Sequence, residues 1–124
     1  MVKRLEFYRC QICGNIIQVM HEGAGELVCC EQAMDLIEAK THEEGLQEKH
    51  VPYYISENEI QIGSAVHPMT AEHHIEFIQI ISDDKKQVQT QFLDIEQPPL
   101  MQIKTCSQPQ KAYEYCNLHG LWSN

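Results

Sequence analysis

Apolar positions in this chain come in short runs and never build a sustained helical stripe. Near the start, Leu5 to Tyr8, Ile16 to Met20 and Leu27 to Val28 are apolar or alternating. No stretch keeps a 3.6-residue apolar period over three turns. Glu22-Gly23-Ala24-Gly25 reads as a tight turn, because glycine reaches positive φ without a steric penalty. These runs predict a tiny hairpin-rich unit ending near Leu36 or Ile37. From Glu38 to Glu48 the sequence EAKTHEEGLQE is polar and contains Gly45, which predicts a linker with one helical turn.

Six strands are expected beyond it: Val51 to Ser56, Glu59 to Val66, Glu72 to Ile81, Gln87 to Ile95, Leu100 to Thr105 and Ala112 to Cys116. Glu57-Asn58, the Asp83-Asp84-Lys85 stretch, Pro98-Pro99 and Ser107-Gln108-Pro109 separate them. Strands at ~10-residue spacing with turn signals between them suggest a β-sandwich. Ile80 and Ile81 break the alternation, so a bulge or burial on both faces is expected there.

With 124 residues the chain has room for one ordinary domain, or for a medium domain with a small appendage. Such a chain buries about two-thirds of its unfolded surface, so a unit of a few dozen residues needs a staple. A hydrophobic share of 43% against 22% charged residues excludes a disordered chain. Eighteen acidic and nine basic residues give a net charge of -9 with no basic cluster, which argues against a nucleic-acid partner. No apolar run approaches the ~20 residues of a membrane span, and Met1-Val2-Lys3-Arg4 leads into no signal-like stretch. A soluble cytoplasmic protein without a membrane partner is expected.

Six cysteines and seven histidines change the picture. In a chain without an export signal, thiols read as metal ligands or catalytic groups before disulfides. Cys10 and Cys13 form a C-x-x-C pair, and after fifteen intervening residues Cys29 and Cys30 are neighbours. Two such pairs can close a tetrahedron around an ion, whereas adjacent cysteines form a strained disulfide. Zinc and iron fit this spacing alike.

A second constellation comprises His50, His67, His73 and His119, with Cys116 three residues before the last. Pro52 and Pro68 bias the residues before them toward extended or loop backbone, and three of these histidines fall where strands end. Imidazoles with one thiolate suit iron, copper or zinc. With one anionic ligand, a ferrous site keeps a net charge near +1 and favours a small anion, because near charge outweighs distant screened charge. His21 in the hairpin, His42 in the linker and His74, facing away from His73 in an extended strand, read as ordinary surface or hydrogen-bonded residues. Cys106 reads as a buried bystander.

Together these motifs resemble the desulfoferrodoxin branch of the superoxide reductase family. FYRCQICGNIIQVMHEGAGELVCCEQAM, from Phe7 to Met34, is similar to its desulforedoxin-like iron domain. EKHVP, GSAVHPMTAEHHIEFI and EYCNLHGLW are similar to the motifs of its catalytic domain. The resemblance implies a mainly β chain: a small metal-stapled desulforedoxin-like domain over residues 1–37, a linker over 38–48 and an immunoglobulin-like β-sandwich over 49–124. It also implies two mononuclear irons per chain. Cys10, Cys13, Cys29 and Cys30 match the ligands of the first. His50, His67, His73 and His119 match the equatorial ligands of the second, with Cys116 as its axial thiolate. Glu48 and Lys49 match the acidic and basic residues beside its open position. The implied activity is one-electron reduction of superoxide to hydrogen peroxide, with a rubredoxin-like donor and a homodimeric assembly. Lys49 would draw in the anion, and Glu48 would fill the vacated position after product leaves. His74 stands where the family commonly has tyrosine. The rival reading is a non-catalytic iron electron-transfer protein or a zinc-stapled binding module, which needs only the N-terminal thiols.

Overall fold

The computed structural model describes residues 2–43, 45–104 and 110–124; Cys106 lies outside the described residues. Strands make up nearly all its regular structure, in agreement with the mainly β class expected. The chain divides into two compact units, Met1–Glu38 and Ala39–Asn124.

In the first unit, β1 (Phe7–Arg9) is the middle strand of an antiparallel sheet between β2 (Ile16–Gln18) and β5 (Asp35–Ile37). Tyr8 pairs with Ile17 on one side and Leu36 on the other. A separate two-residue hairpin joins β3 (Val28–Cys29) to β4 (Gln32–Ala33). Phe7, Val19 and Cys10 are buried, whereas Ile12, Met20, Val28 and Leu36 are exposed. So small a core cannot offset the conformational entropy of ordering the unit. Its cohesion must come from elsewhere.

The second unit is a sandwich of two antiparallel sheets, the immunoglobulin-like arrangement expected. One sheet orders β6 (Pro52–Ser56), β7 (Glu59–Ile62) and β10 (Leu100–Gln102) as β10-β7-β6. The other runs β12-β11-β8-β9, from β8 (Ile75–Ser82), β9 (Val88–Phe92), β11 (Gln110–Cys116) and β12 (Gly120–Ser123). Ile78, Ile80 and Ala112 of the larger sheet share one core with Ile60, Ile62 and Met101 of the smaller. Side chains from both faces of β8 are buried, which accounts for its adjacent isoleucines; a register shift in that strand lies at Glu76, which is skipped where Tyr115 pairs with Phe77 and Cys116 with Ile75. Glutamine side chains join the edge strands of the two sheets: Gln89 Nε2 donates to Gln102 O at 2.7 Å and Gln91 Nε2 to Leu100 O at 3.2 Å.

Several boundaries differ from the sequence reading, each for a local reason. The strand begun at Glu59 ends at Ile62, because Gly63 turns the chain at φ +83°. Thr70 and His73 exchange backbone hydrogen bonds at 2.9 and 3.2 Å, so Glu72 to His74 form a turn and β8 starts at Ile75. His74 is therefore not in an extended strand. Lys40, within the segment read as linker, pairs with Trp122 of β12. The helical turn, α1 (Gln47–His50), closes that segment.

Candidate metal centres

The first centre is built from two tight turns. After β1, Cys10 accepts the Gly14 N–H and donates its own N–H to Asn15 O, each at 2.9 Å, folding the C-x-x-C stretch into a knuckle. The N–H groups of Ile12 and Cys13 both lie 3.4 Å from Cys10 Sγ. The second pair lies at the β3–β4 hairpin. Neighbouring side chains on a strand face opposite ways, so Cys29 and Cys30 could not both reach one point if the strand simply continued. Cys30 and Glu31 instead take φ 52° and 62° as the two turn residues, a left-handed pair of the type I′ kind. Left-handed backbone at a non-glycine costs about 1 kcal/mol or more, and here it brings the second sulfur round. All four Sγ atoms lie within 4.8 Å of one another.

The protons of this cluster resist simultaneous removal. The Cys13 N–H, helped by that of Ile12, lowers the Cys10 thiol to about 6 against the effect of burial. The thiols of Cys13 and then Cys29 push Cys30 up to about 12, and Cys13 raises Cys29 as well. A set of thiols that cannot all ionise together is discharged by a cation, since metal binding displaces thiol protons. The donor set fits a tetrahedral metal ion.

The second centre gathers residues from distant parts of the unit. His50 ends α1, His67 and His73 lie in the β7–β8 connection, and Cys116 and His119 flank the β11–β12 turn. The four imidazoles form a closed ring. Successive centroids from His50 to His67, His73, His119 and back lie 4.7, 4.5, 5.0 and 4.7 Å apart, at interplanar angles of 77°, 78°, 73° and 83°. Across the ring, His50 and His73 are 6.1 Å apart and tilted by only 30°. Neighbours are thus nearly perpendicular, like blades around one point. Cys116 Sγ, buried, lies 3.5 Å from His67 Nε2 and 3.8 Å from His119 Nδ1.

Hydrogen bonds on the outer nitrogens fix what the inner ones offer. His50 Nδ1 lies 2.8 Å from Leu46 O, and His67 Nδ1 lies 2.7 Å from Pro68 O. A carbonyl only accepts, so each Nδ1 carries the proton and each Nε2 presents a lone pair. Those Nε2 atoms are 3.2 Å apart, and His119 Nδ1 lies 3.0 Å from that of His50. Two bare lone pairs at that distance repel unless a cation lies between them. His73 Nε2 is buried without a hydrogen-bond partner among the described residues. Burial holds the imidazoles of His50, His67 and His73 below their ordinary range, His67 at about 4, so they stay neutral donors. Burial raises the Cys116 thiol, while the N–H groups of His119 and Leu118 pull the other way. This donor set fits a metal ion bound by four nitrogens and one sulfur.

Similarity to known proteins covers both units. Residues 2–37 match the family model of the desulfoferrodoxin N-terminal domain, and residues 42–124 match that of desulfoferrodoxin itself. The desulfoferrodoxin of Syntrophotalea carbinolica is 42% identical over 100% of this chain and 98% of its own length. The chain belongs to the desulfoferrodoxin family. A desulfoferrodoxin homolog from Archaeoglobus fulgidus is 41% identical, covering 100% and 99%. In three dimensions, the superoxide reductase from Treponema pallidum superposes with a TM-score of 0.73 at 26% identity, over 100% of this chain and 99% of its own.

The remaining residues that the sequence singles out lie as follows. Glu48 and Lys49 are exposed on α1, and the Lys49 ammonium helps hold His73 low. His21 and His42 are exposed. His74 turns outward, its Nδ1 2.9 Å from Thr70 O. Sequence reasoning missed the supports of the second centre. Trp122, the only tryptophan, stacks on His50 at 4.9 Å, and Lys40 reaches over its ring while donating to His119 O at 3.2 Å. Asn117 ties two ligand loops together: Oδ1 accepts from His74 N at 2.9 Å and Nδ2 donates to Glu72 O at 3.0 Å. Its place between Cys116 and His119 was the available signal.

Proposed function

We propose that this protein is a superoxide reductase, adding one electron and two protons to superoxide to give hydrogen peroxide without evolving oxygen. The observation that carries the reading is the ring of four imidazoles with one buried thiol beside it. Kinship with superoxide reductases of the same fold supports it. His50, His67, His73, His119 and Cys116 would hold the catalytic iron, and Cys10, Cys13, Cys29 and Cys30 a second one. When bound, the catalytic iron supplies the electron and an open coordination position for the anion. Cys116 would bring a thiolate to that iron, and a thiolate ligand donates electron density to the metal it holds.

The chain's other groups handle charge and protons. Lys49, a mobile point charge, draws the anion toward the imidazoles on a protein of net charge -9 and orders a protonating water. Glu48, on the same helical turn, would supply a carboxylate to the catalytic iron. The electron comes from an external rubredoxin-like donor, and the protein works as a homodimer in the cytoplasm. Metal quantification joined to a donor-coupled superoxide assay tests the reading. Two irons per chain and one donor electron consumed per superoxide are expected; oxygen evolution without a donor, or zinc at the sulfur site and an empty imidazole site, would reject it.

A further inference from the structure

Glu48 and Lys49 stand on a helix too short to hold itself. α1 has four residues and no side-chain N-cap, and an isolated helical turn is far below the length at which helix is stable in water. Among the described residues, no hydrogen bond or ion pair anchors either charged side chain. Their placement depends on whatever holds the backbone beneath them.

That support comes from the turn after β7. Glu48 O accepts two hydrogen bonds, from Ala65 N at 3.0 Å and Ser64 Oγ at 3.3 Å. Val51 O accepts the Gly63 N–H at 3.1 Å, so both ends of the Glu48–Val51 segment are gripped by three consecutive residues. Between these bonds the chains touch. A Cβ on Gly63 would lie 2.7 Å from Lys49 O and closer still to Ala65 O, and φ is +83°. Only glycine allows both that backbone and that approach. Gln61 Nε2 fixes the Gly63 carbonyl at 2.8 Å, and His67 N closes the loop on Ile62 O at 3.3 Å. One loop therefore carries a ligand histidine and also grips the backbone of Glu48 and Lys49.

We propose that the Gly63-Ser64-Ala65 turn is a positioning device for Glu48 and Lys49, capping their helical turn from outside and setting where both charges stand beside the imidazole ring. The proposal rests on the superoxide reductase reading for its kinetic arm only. Gly63→Ala in the full iron-loaded chain should raise amide exchange across residues 47–51 by about tenfold, with metal content and the thiolate absorption of the second centre retained. Superoxide capture should slow by about tenfold and lose much of its dependence on ionic strength. In a Lys49→Ile background the same substitution should cause little further slowing, because both changes remove one effect. Unchanged exchange in folded Gly63→Ala, or equal slowing in both backgrounds, overturns the proposal. If Gly63→Ala does not fold, Ser64→Ala decides: about a twofold rise in exchange over the same residues supports the device, and none overturns it. Should the wild-type chain consume no superoxide, the reductase reading fails while the exchange measurement still decides the role of the turn.

Discussion

The sulfur centre and the imidazole centre are assembled by opposite routes. Cys10, Cys13, Cys29 and Cys30 come from two local turns in a unit that buries little beyond Phe7, Val19 and Cys10. Their convergence requires left-handed backbone at Cys30 and crowds protons that resist leaving together. The second cluster draws on residues from His50 to His119, held by segments that connect strands sharing an isoleucine-rich core. In the first unit an ion would hold the fold; in the second the fold holds the site. Metal affinity and folding are thus one quantity in one half of the chain and nearly separable in the other.

Chelating the metal from the reduced protein is the harshest way to break this contrast. Amide protection over residues 2–38 should vanish while β7, β8 and β11 stay protected, a loss on the order of 10 kcal/mol for the sulfur-bound unit. Hydrogen exchange read by unit checks it, and equal losses in both halves would refute the contrast. Next in size is Cys116→Ser, which removes the only sulfur of the second centre. Its visible thiolate absorption should disappear while that of the tetrathiolate centre persists; a surviving band would displace Cys116 from the ligand set. Lys49→Ile should slow superoxide capture about tenfold and flatten its salt dependence without touching the first centre. Stopped-flow rates equally salt-sensitive in parent and variant would remove Lys49 from that role.

The smallest effect sharpens the comparison inside the sandwich. Glu114, fully buried on β11 with neither carboxyl oxygen hydrogen-bonded among the described residues, is held well above the ordinary carboxylate range by burial. Folding favours its neutral form, so that stabilisation is complete below the ordinary carboxylate value. It is lost as pH rises toward the folded-state value. Glu114→Gln has no proton to lose and should resist this alkaline decline. Urea midpoints at pH 5 and pH 8 that shift in parallel for parent and variant would disprove it.

The donor types and the rough strand order were legible in the sequence because both follow local rules. C-x-x-C, an adjacent cysteine pair and histidines beside prolines can be seen in a short window, as can runs of β-branched residues broken by turn formers. What stayed hidden depends on distant contact. The local pattern predicts a strand from Glu59 to Val66, and the need for glycine at position 63 appears only when the Lys49 carbonyl lies against it. Lys40 read as linker because nothing nearby reveals Trp122. Glu72 to His74 read as strand because they lead without a turn former into the alternation that begins at Ile75, and the Thr70–His73 hydrogen bonds that bend them are invisible in composition.

The glutamines linking the two sheets have a consequence for crowded solution. Gln89 uses its amide as a peptide group would, donating to Gln102 O and accepting from Lys104 N at 3.1 Å, while Gln91 occupies Leu100 O. A border strand whose carbonyls were bare would invite any stray extended segment to zip onto it. Here those acceptors are already taken by side chains, so that margin of the sandwich offers an unfolded neighbour few free rungs on which to begin a ribbon.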